Sequence, residues 1–199
     1  MIRRTLLWIG LSALTACGAL PLPGRAPAVD PGFAALAQAG APRLQVGLLS
    51  QRAGTVVVRD TVRDGYATWV SQDGASLTLN RGMLVATRGL GGDMLGSDVS
   101  EPLAIVLQRS TGRVTRFHTF LDGENRPVRR AYICDIEDRG PRALTFGAAT
   151  LQTRLIGEDC ASQDQTFLNL YWIDGTGQIV QSRQWAGDFA GILTFRIVP

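Results

Sequence analysis

Three turn signals crowd one stretch of the chain: Asp64-Gly65, Asp73-Gly74 and Asn80-Arg81-Gly82. Asp, Asn and above all Gly tolerate the positive φ that tight hairpin connections require. The segments between these turns, at 55–63, 66–70, 76–80 and 83–87, are short and carry β-branched or alternating residues. Segments so short and so punctuated predict an antiparallel meander rather than helices. Further strands are predicted at 44–49, 113–121, 128–136, 149–156, 167–173, 178–184 and 191–198, with Asp122-Gly123 and Asp174-Gly175-Thr176-Gly177 as turns. The Ala-rich segment 33–38 supports a helix of at most two turns, and 89–96 reads as a glycine-rich connection. Glu101-Pro102 resembles a helix start with Pro102 at the first helical position. Residues 103–107 fit a short helix or a buried strand equally well, because periodicity does not separate the two at that length. The expected fold is one all-β domain over 33–199, its antiparallel sheets forming a sandwich or partly open barrel, with one or two short helices.

The first residues carry a different signal. Arg3 and Arg4 precede an apolar run from 6 to 14, followed by Leu14-Thr15-Ala16-Cys17. That is a positive n-region, an h-region and small residues at a cut. The run falls well short of the roughly 20 residues needed to span a bilayer. Leu-Thr-Ala-Cys resembles the lipobox of bacterial lipoproteins, which implies a signal peptide at 1–16 and makes Cys17 the lipidated first mature residue. An ordinary secretory signal with a chance cysteine is the other reading. Two or three acyl chains hold a protein firmly where one binds marginally, since each buried CH₂ contributes about 0.8 kcal/mol. Residues 17–32 are small and Pro-rich, so they read as a tether, which reaches about 50 Å when fully extended. Gly18 rather than aspartate after the cysteine implies, by resemblance to the lipoprotein sorting rule, transfer to the outer membrane, facing the periplasm.

Charge excludes more than it proposes. The formal +3 includes Arg3 and Arg4, so the mature domain is close to neutral and lacks the basic footprint of a nucleic-acid binder. All 20 basic residues are arginine, which points to codon bias rather than chemistry. With Cys17 lipidated, Cys134 and Cys160 remain as an even pair in an oxidising compartment. A disulfide between them would contribute roughly 3.5 kcal/mol by the chain-entropy account. Two buried thiols or half of a metal site are the alternatives. His118 is the only histidine and no CxxC spacing exists, so zinc is disfavoured.

Enzymatic motifs are thin. Gly89-Leu90-Gly91-Gly92 lacks the Lys-Ser/Thr of a phosphate loop, and a turn with positive φ explains the glycines better. His118 has no GxSxG or HExxH around it. Asp93 with Asp98, or Asp135 with Glu137, are the carboxylate pairs a glycosidase would need, yet aspartates beside glycine are also what turns produce. Trp69, Tyr171, Trp172 and Trp185 offer flat faces for sugar rings, with Gln178, Gln181 and Gln184 near Trp185. Tryptophans in a β domain also simply pack its core.

Several segments together are similar to one family. Trp69-Val70-Ser71, then Met83-Leu84-Val85-Ala86-Thr87-Arg88-Gly89-Leu90 with Asp93-Met94-Leu95 and Asp98, resembles the central signature of the YjbF/GfcB group of lipoproteins. Asn169-Leu170-Tyr171-Trp172-Ile173-Asp174, followed by Gly177 to Trp185, resembles its C-terminal signature. Glu101-Pro102-Leu103 is a slight variation on an Asp-Pro-Leu pattern. The lipobox agrees, and the two cysteines sit where a disulfide would be expected. The resemblance implies an outer-membrane lipoprotein encoded with group 4 capsule or exopolysaccharide export genes, with an all-β fold and no catalytic residues to carry over. The expectation is therefore a non-enzymatic accessory protein, without cofactor, nucleotide or nucleic acid, that contacts polysaccharide, export machinery or both. Trp69, Arg88, Trp172 and Trp185 are the expected polymer-binding residues. The alternatives are a periplasmic polysaccharide hydrolase using an Asp/Glu pair and a structural partner of an outer-membrane export pore.

Overall fold

A computed structural model describes residues 28–198. The leader, Cys17 and most of the tether lie outside the described residues. No described helix is long and apolar enough to cross a membrane.

The chain forms one 12-stranded sheet, all of whose ladders are antiparallel. A first meander comprises β1 (Arg43–Leu48), β2 (Ala53–Arg63), β3 (Tyr66–Val70), β4 (Ser76–Asn80) and β5 (Met83–Arg88). A second comprises β6 (Met94–Asp98), β7 (Gly112–Leu121), β8 (Pro127–Phe146), β9 (Ala149–Ala161), β10 (Thr166–Asp174), β11 (Ile179–Trp185) and β12 (Ile192–Ile197). Pairing of β1 with β12 joins the meanders, so the order runs β5-β4-β3-β2-β1-β12-β11-β10-β9-β8-β7-β6. The two end strands, β5 and β6, are consecutive in sequence. They come together, and the sheet curls into a nearly closed barrel. Of the two expected architectures, the barrel is the one that forms.

Alternation explains the curl. Val114, Arg116, His118 and Phe120 of β7 are buried while their neighbours face out, and Phe167, Asn169, Tyr171 and Ile173 of β10 repeat the pattern. With a period of two, each strand offers one inward face. Curling one sheet on itself buries those faces without a second sheet. Met83, Leu84, Met94 and Leu193 are fully buried inside. An interior packed with side chains is the reverse of the water-filled lumen of a pore-forming barrel. α2 (Ser100–Gln108) adds Leu103 and Val106 to the same core, and its Pro102 is also buried.

The turns behave as their chemistry requires. Asp64 and Gly65 have φ of 51° and 84°, and Arg81 and Gly82 have 49° and 95°, the left-handed pair of a two-residue hairpin. Asp174 Oδ1 accepts from the Thr176 and Gln178 amides, both at 2.9 Å, which closes the loop before β11.

Four expectations need correction. Residues 89–96 are not all connection, because β6 begins at Met94. β8 and β9 run to 20 and 13 residues, well past their predicted ends. Pro102 occupies the third helical position, since α2 starts at Ser100, and 103–107 is helix. Order also begins before residue 33: the Asp30 amide donates to Gln72 O at 2.7 Å. Asp30 Oδ1 then accepts from Phe33 N at 2.9 Å, capping α1 (Pro31–Gln38).

Cys134 and Cys160 lie directly opposite each other on β8 and β9 and form a disulfide with a sequence separation of 26. Glu158 sits within ligand distance of both sulfurs, but bonded sulfurs are not thiolate ligands, so the half-metal-site reading falls. A Cys134→Ala/Cys160→Ala variant should lose about 3.5 kcal/mol of stability, measured by urea unfolding as a lower midpoint with a steeper slope, because the uncrosslinked unfolded chain exposes more surface.

Candidate functional site

The barrel interior holds a polar network that motif reading missed. Arg116 of β7 is 1% exposed, and its Nη1 donates to Glu158 Oε2 at 2.6 Å. The same Glu158 oxygen accepts from Tyr171 Oη at 2.7 Å and Asn169 Nδ2 at 2.8 Å. Arg116 Nε donates to His118 Nε2 at 2.9 Å, which leaves the imidazole proton on Nδ1. Around the imidazole stand Phe167, Trp185, Phe120 and Tyr132. Phe167 and Trp185 stack at 4.6 Å, and His118 lies near-parallel to both. Burial works to lower the Arg116 pKa, but the Glu158 charge and the Tyr171 hydroxyl carry it above its usual value. Burial and the Glu158 charge raise the Tyr171 phenol well above its usual value, so it stays a neutral donor. Burial, then the charges of Arg116 and Arg130, hold His118 down at about 2.

This network also clamps the seam. Arg116 Nη2 donates to Leu84 O on β5 at 3.4 Å, and Arg116 Nε reaches Ser97 Oγ on β6 at 3.4 Å. From across the barrel, Gln184 of β11 accepts from Leu84 N at 2.7 Å and donates to Gly82 O at 2.8 Å. Further along the seam, Thr87 Oγ1 accepts from Met94 N at 3.0 Å, and Arg88 Nη1 donates to Thr87 O at 2.6 Å and Met94 O at 3.1 Å. Side chains thus satisfy edge groups that no ladder pairs. Asp93 accepts from the Gly89 and Leu90 amides at 2.8 and 3.0 Å. The glycine loop therefore holds its own carboxylate, in keeping with a turn rather than a phosphate cradle.

The outer face carries a surface of different chemistry. Register aligns Trp172 of β10, Gln181 of β11, Arg196 of β12 and Gln45 of β1 in one row. The adjacent row is Leu170, Arg183, Thr194, Gly47 and Gly54. Directly opposed residues share a face, so the rows form a strip across five strands. The two glycines leave it concave: a Cβ on Gly47 would fall 2.5 Å from Thr194 Oγ1. The depression measures about 760 Å³ and no carboxylate lines it. Arg196 Nε donates to Gln181 Oε1 at 2.6 Å, which fixes the guanidinium. Arg183 Nε is buried and has no hydrogen-bond partner among the described residues. Leu155, paired with Trp172 from β9, is 8% exposed and supports the indole from one side. An indole, planar amides and guanidinium groups in one strip can stack on a ring face, bond hydroxyls and attract carboxylates.

The expected polymer-binding residues do not form one site. Trp172 is half-buried and lies in the strip. Trp69 is 8% exposed and lines an inner cavity instead. Trp185 is 7% exposed within the aromatic stack, where a sugar ring does not reach it. Arg88 is exposed, but its guanidinium is spent on the seam carbonyls. Of the carboxylates, Asp98 accepts from Ser100 N at 3.1 Å, and Asp135 takes both arms of Arg113 at 2.6 and 2.9 Å. Each serves a cap, loop or ion pair. Sequence reading passed over Gln45, Arg183 and Arg196 because they are far apart in the chain; only their outward parity in predicted strands marked them.

Fold and interior define a nearly closed antiparallel barrel, filled and stapled inside. Residues 27–198 match the family described as group 4 capsule polysaccharide lipoprotein gfcB, YjbF, and the chain belongs to that family. It is 30% identical over 138 residues to the uncharacterized lipoprotein YjbF of Escherichia coli K12, a match covering 66% of this chain and 63% of the relative's length. The crystal structure of the hypothetical lipoprotein YmcC from E. coli K12 superposes with a TM-score of 0.70 at 22% identity, over 79% of this chain and 86% of that one. At that identity the likeness concerns the fold.

Two predictions follow from the network. Glu158→Leu strands the Arg116 charge in the core and should cost about 3–5 kcal/mol, while Arg116→Met/Glu158→Leu should recover much of that loss; thermal unfolding of the three proteins checks it. His118 binds a proton near pH 6.5 when unfolded and only near 2 when folded. Its contribution is therefore complete above pH 6.5 and declines as pH falls, by up to about 1.4 kcal/mol per unit. Urea unfolding between pH 7.5 and 5 should show that slope, and His118→Phe should flatten it.

Proposed function

We propose that this chain is a non-enzymatic accessory lipoprotein of capsule or exopolysaccharide production, held through Cys17 to the outer membrane and facing the periplasm. Its outer strip engages the polymer. The observation that carries this reading is the row of Trp172, Gln181, Arg196 and Gln45 beside Arg183, which sets an aromatic platform next to cations and amides with no opposing carboxylate. That composition suits an acidic polysaccharide: the indole takes the apolar face of a sugar ring, and the guanidinium groups take its carboxylates. Family membership supports the process, and the leader supports the anchor. Engagement of Asp93, Asp98 and Asp135 in structural bonds supports a binding role over hydrolysis.

Isothermal titration of the full chain with the cognate polymer tests the reading. Trp172→Ala and Arg183→Gln/Arg196→Gln should each weaken binding about tenfold or more, with thermal unfolding changed little because these side chains face out. Binding that is unaffected by both variants would overturn the assignment of the strip. Release of reducing ends by the wild-type chain would overturn the non-enzymatic role.

A further inference from the structure

The mouth of the barrel holds a second cavity of about 580 Å³, within the 300–1,000 Å³ typical of small-molecule sites. Its apolar lining comes mainly from inner faces, from Leu44, Trp69, Leu79, Ile179 and Phe195 with Leu107 of α2, and the polar Thr176, Gln178, Gln181 and Ser182 stand on one side. Its charges are all of one sign, since Arg59 and Arg81 line it and no carboxylate does. Arg59 lies directly opposite Trp69 in register, so both project from the inner face. Arg81 sits in the β4–β5 turn, whose amide donates to Gly65 O of the β2–β3 turn at 3.2 Å, which places both hairpin ends at this mouth. Neither arginine has an ion-pair partner among the described residues. The Trp69 indole Nε1 is buried and has no acceptor among the described residues. Leaving a buried donor unsatisfied costs about 1–3 kcal/mol; a ligand oxygen at this place would remove that cost.

We propose that this cavity binds a single-chain anionic amphiphile, with its acyl chain between the apolar walls and its carboxylate or phosphate at Arg59 and Arg81. Apolar walls beside two arginines, with no carboxylate, match a molecule that is apolar along its length and anionic at one tip. The cavity shares Gln181, Ser182 and Phe195 with the outer strip, but Trp69, Arg59 and Arg81 belong to it alone, so the proposal stands whether or not the strip binds polymer.

The test uses the full chain in phosphatidylcholine nanodiscs, labelled with a diazirine derivative of palmitate and mapped by mass spectrometry. Labelling should fall on the peptides that carry Trp69, Leu79 or Ile179. It should drop at least tenfold in Arg59→Gln/Arg81→Gln, and also in Ala67→Trp, which fills the chamber. Competition by palmitate alone identifies a fatty-acid carboxylate as the head, and competition by lysophosphatidate identifies a lipid phosphate; both support the site. Equal competition by zwitterionic lysophosphatidylcholine, labelling confined elsewhere, or labelling unchanged in the arginine variant would each overturn it. If Ala67→Trp does not fold, the arginine variant decides, because Arg81 is exposed and Arg59 only half-buried.

Discussion

The barrel depends on one buried ion pair. Arg116 and Glu158 are both removed from water, and a guanidinium in such a place is tolerable only if its donors are met. They are met by Glu158, Tyr171, His118, Ser97 and the Leu84 carbonyl. The partners stand on five strands: β5, β6, β7, β9 and β10. Satisfying one charge therefore draws both end strands of the sheet to the same interior point. Gln184 does the same from β11, on the far side of the sheet order. Apolar packing alone would fill a curled sheet without choosing where its edges meet. The polar network supplies that choice, and a shift of register along the seam would leave a buried charge without its partners.

A sealed interior has consequences for function. Chemistry-bearing residues that look promising in isolation, such as His118, Glu158 and Trp185, are committed to structure and closed to solvent. Two of the places that remain available among the described residues differ in character. The outer strip is concave, cationic and aromatic; the mouth sets apolar walls beside Arg59 and Arg81. Both avoid carboxylates, in a chain whose acidic residues mostly sit in turns, caps and surface ion pairs. A protein near neutral overall can present anion-binding surfaces in this way without a basic net charge.

Much of this was legible locally. Asp64-Gly65, Asp73-Gly74 and Asn80-Arg81-Gly82 mark hairpins because positive φ is written into their residue types, and the strands between them follow. The alternation of 113–121 shows which residues of β7 face inward. The signature segments turn out to carry the seam and the network, since Thr87, Arg88, Asp93, Asn169, Tyr171 and Gln184 all belong to one or the other. Other features were not legible. β6 hides behind glycines because its partner β7, rather than its own propensity, makes it a strand. Arg116 reads as one more arginine, since nothing near it in sequence announces a carboxylate on β9.

The sequence by itself determined the antiparallel meanders, the turn positions and the pairing of the two available cysteines as the leading possibility, because each depends on residues close together in the chain or on simple counting. Only the tertiary structure decided that the sheet curls rather than splitting into a sandwich, that Trp69 and Trp185 turn inward while Trp172 faces out, and that Gln45, Arg183 and Arg196 share a surface. Those outcomes depend on register across strands far apart in sequence, and register is settled by long-range burial and by the demand that every buried charge find its partners.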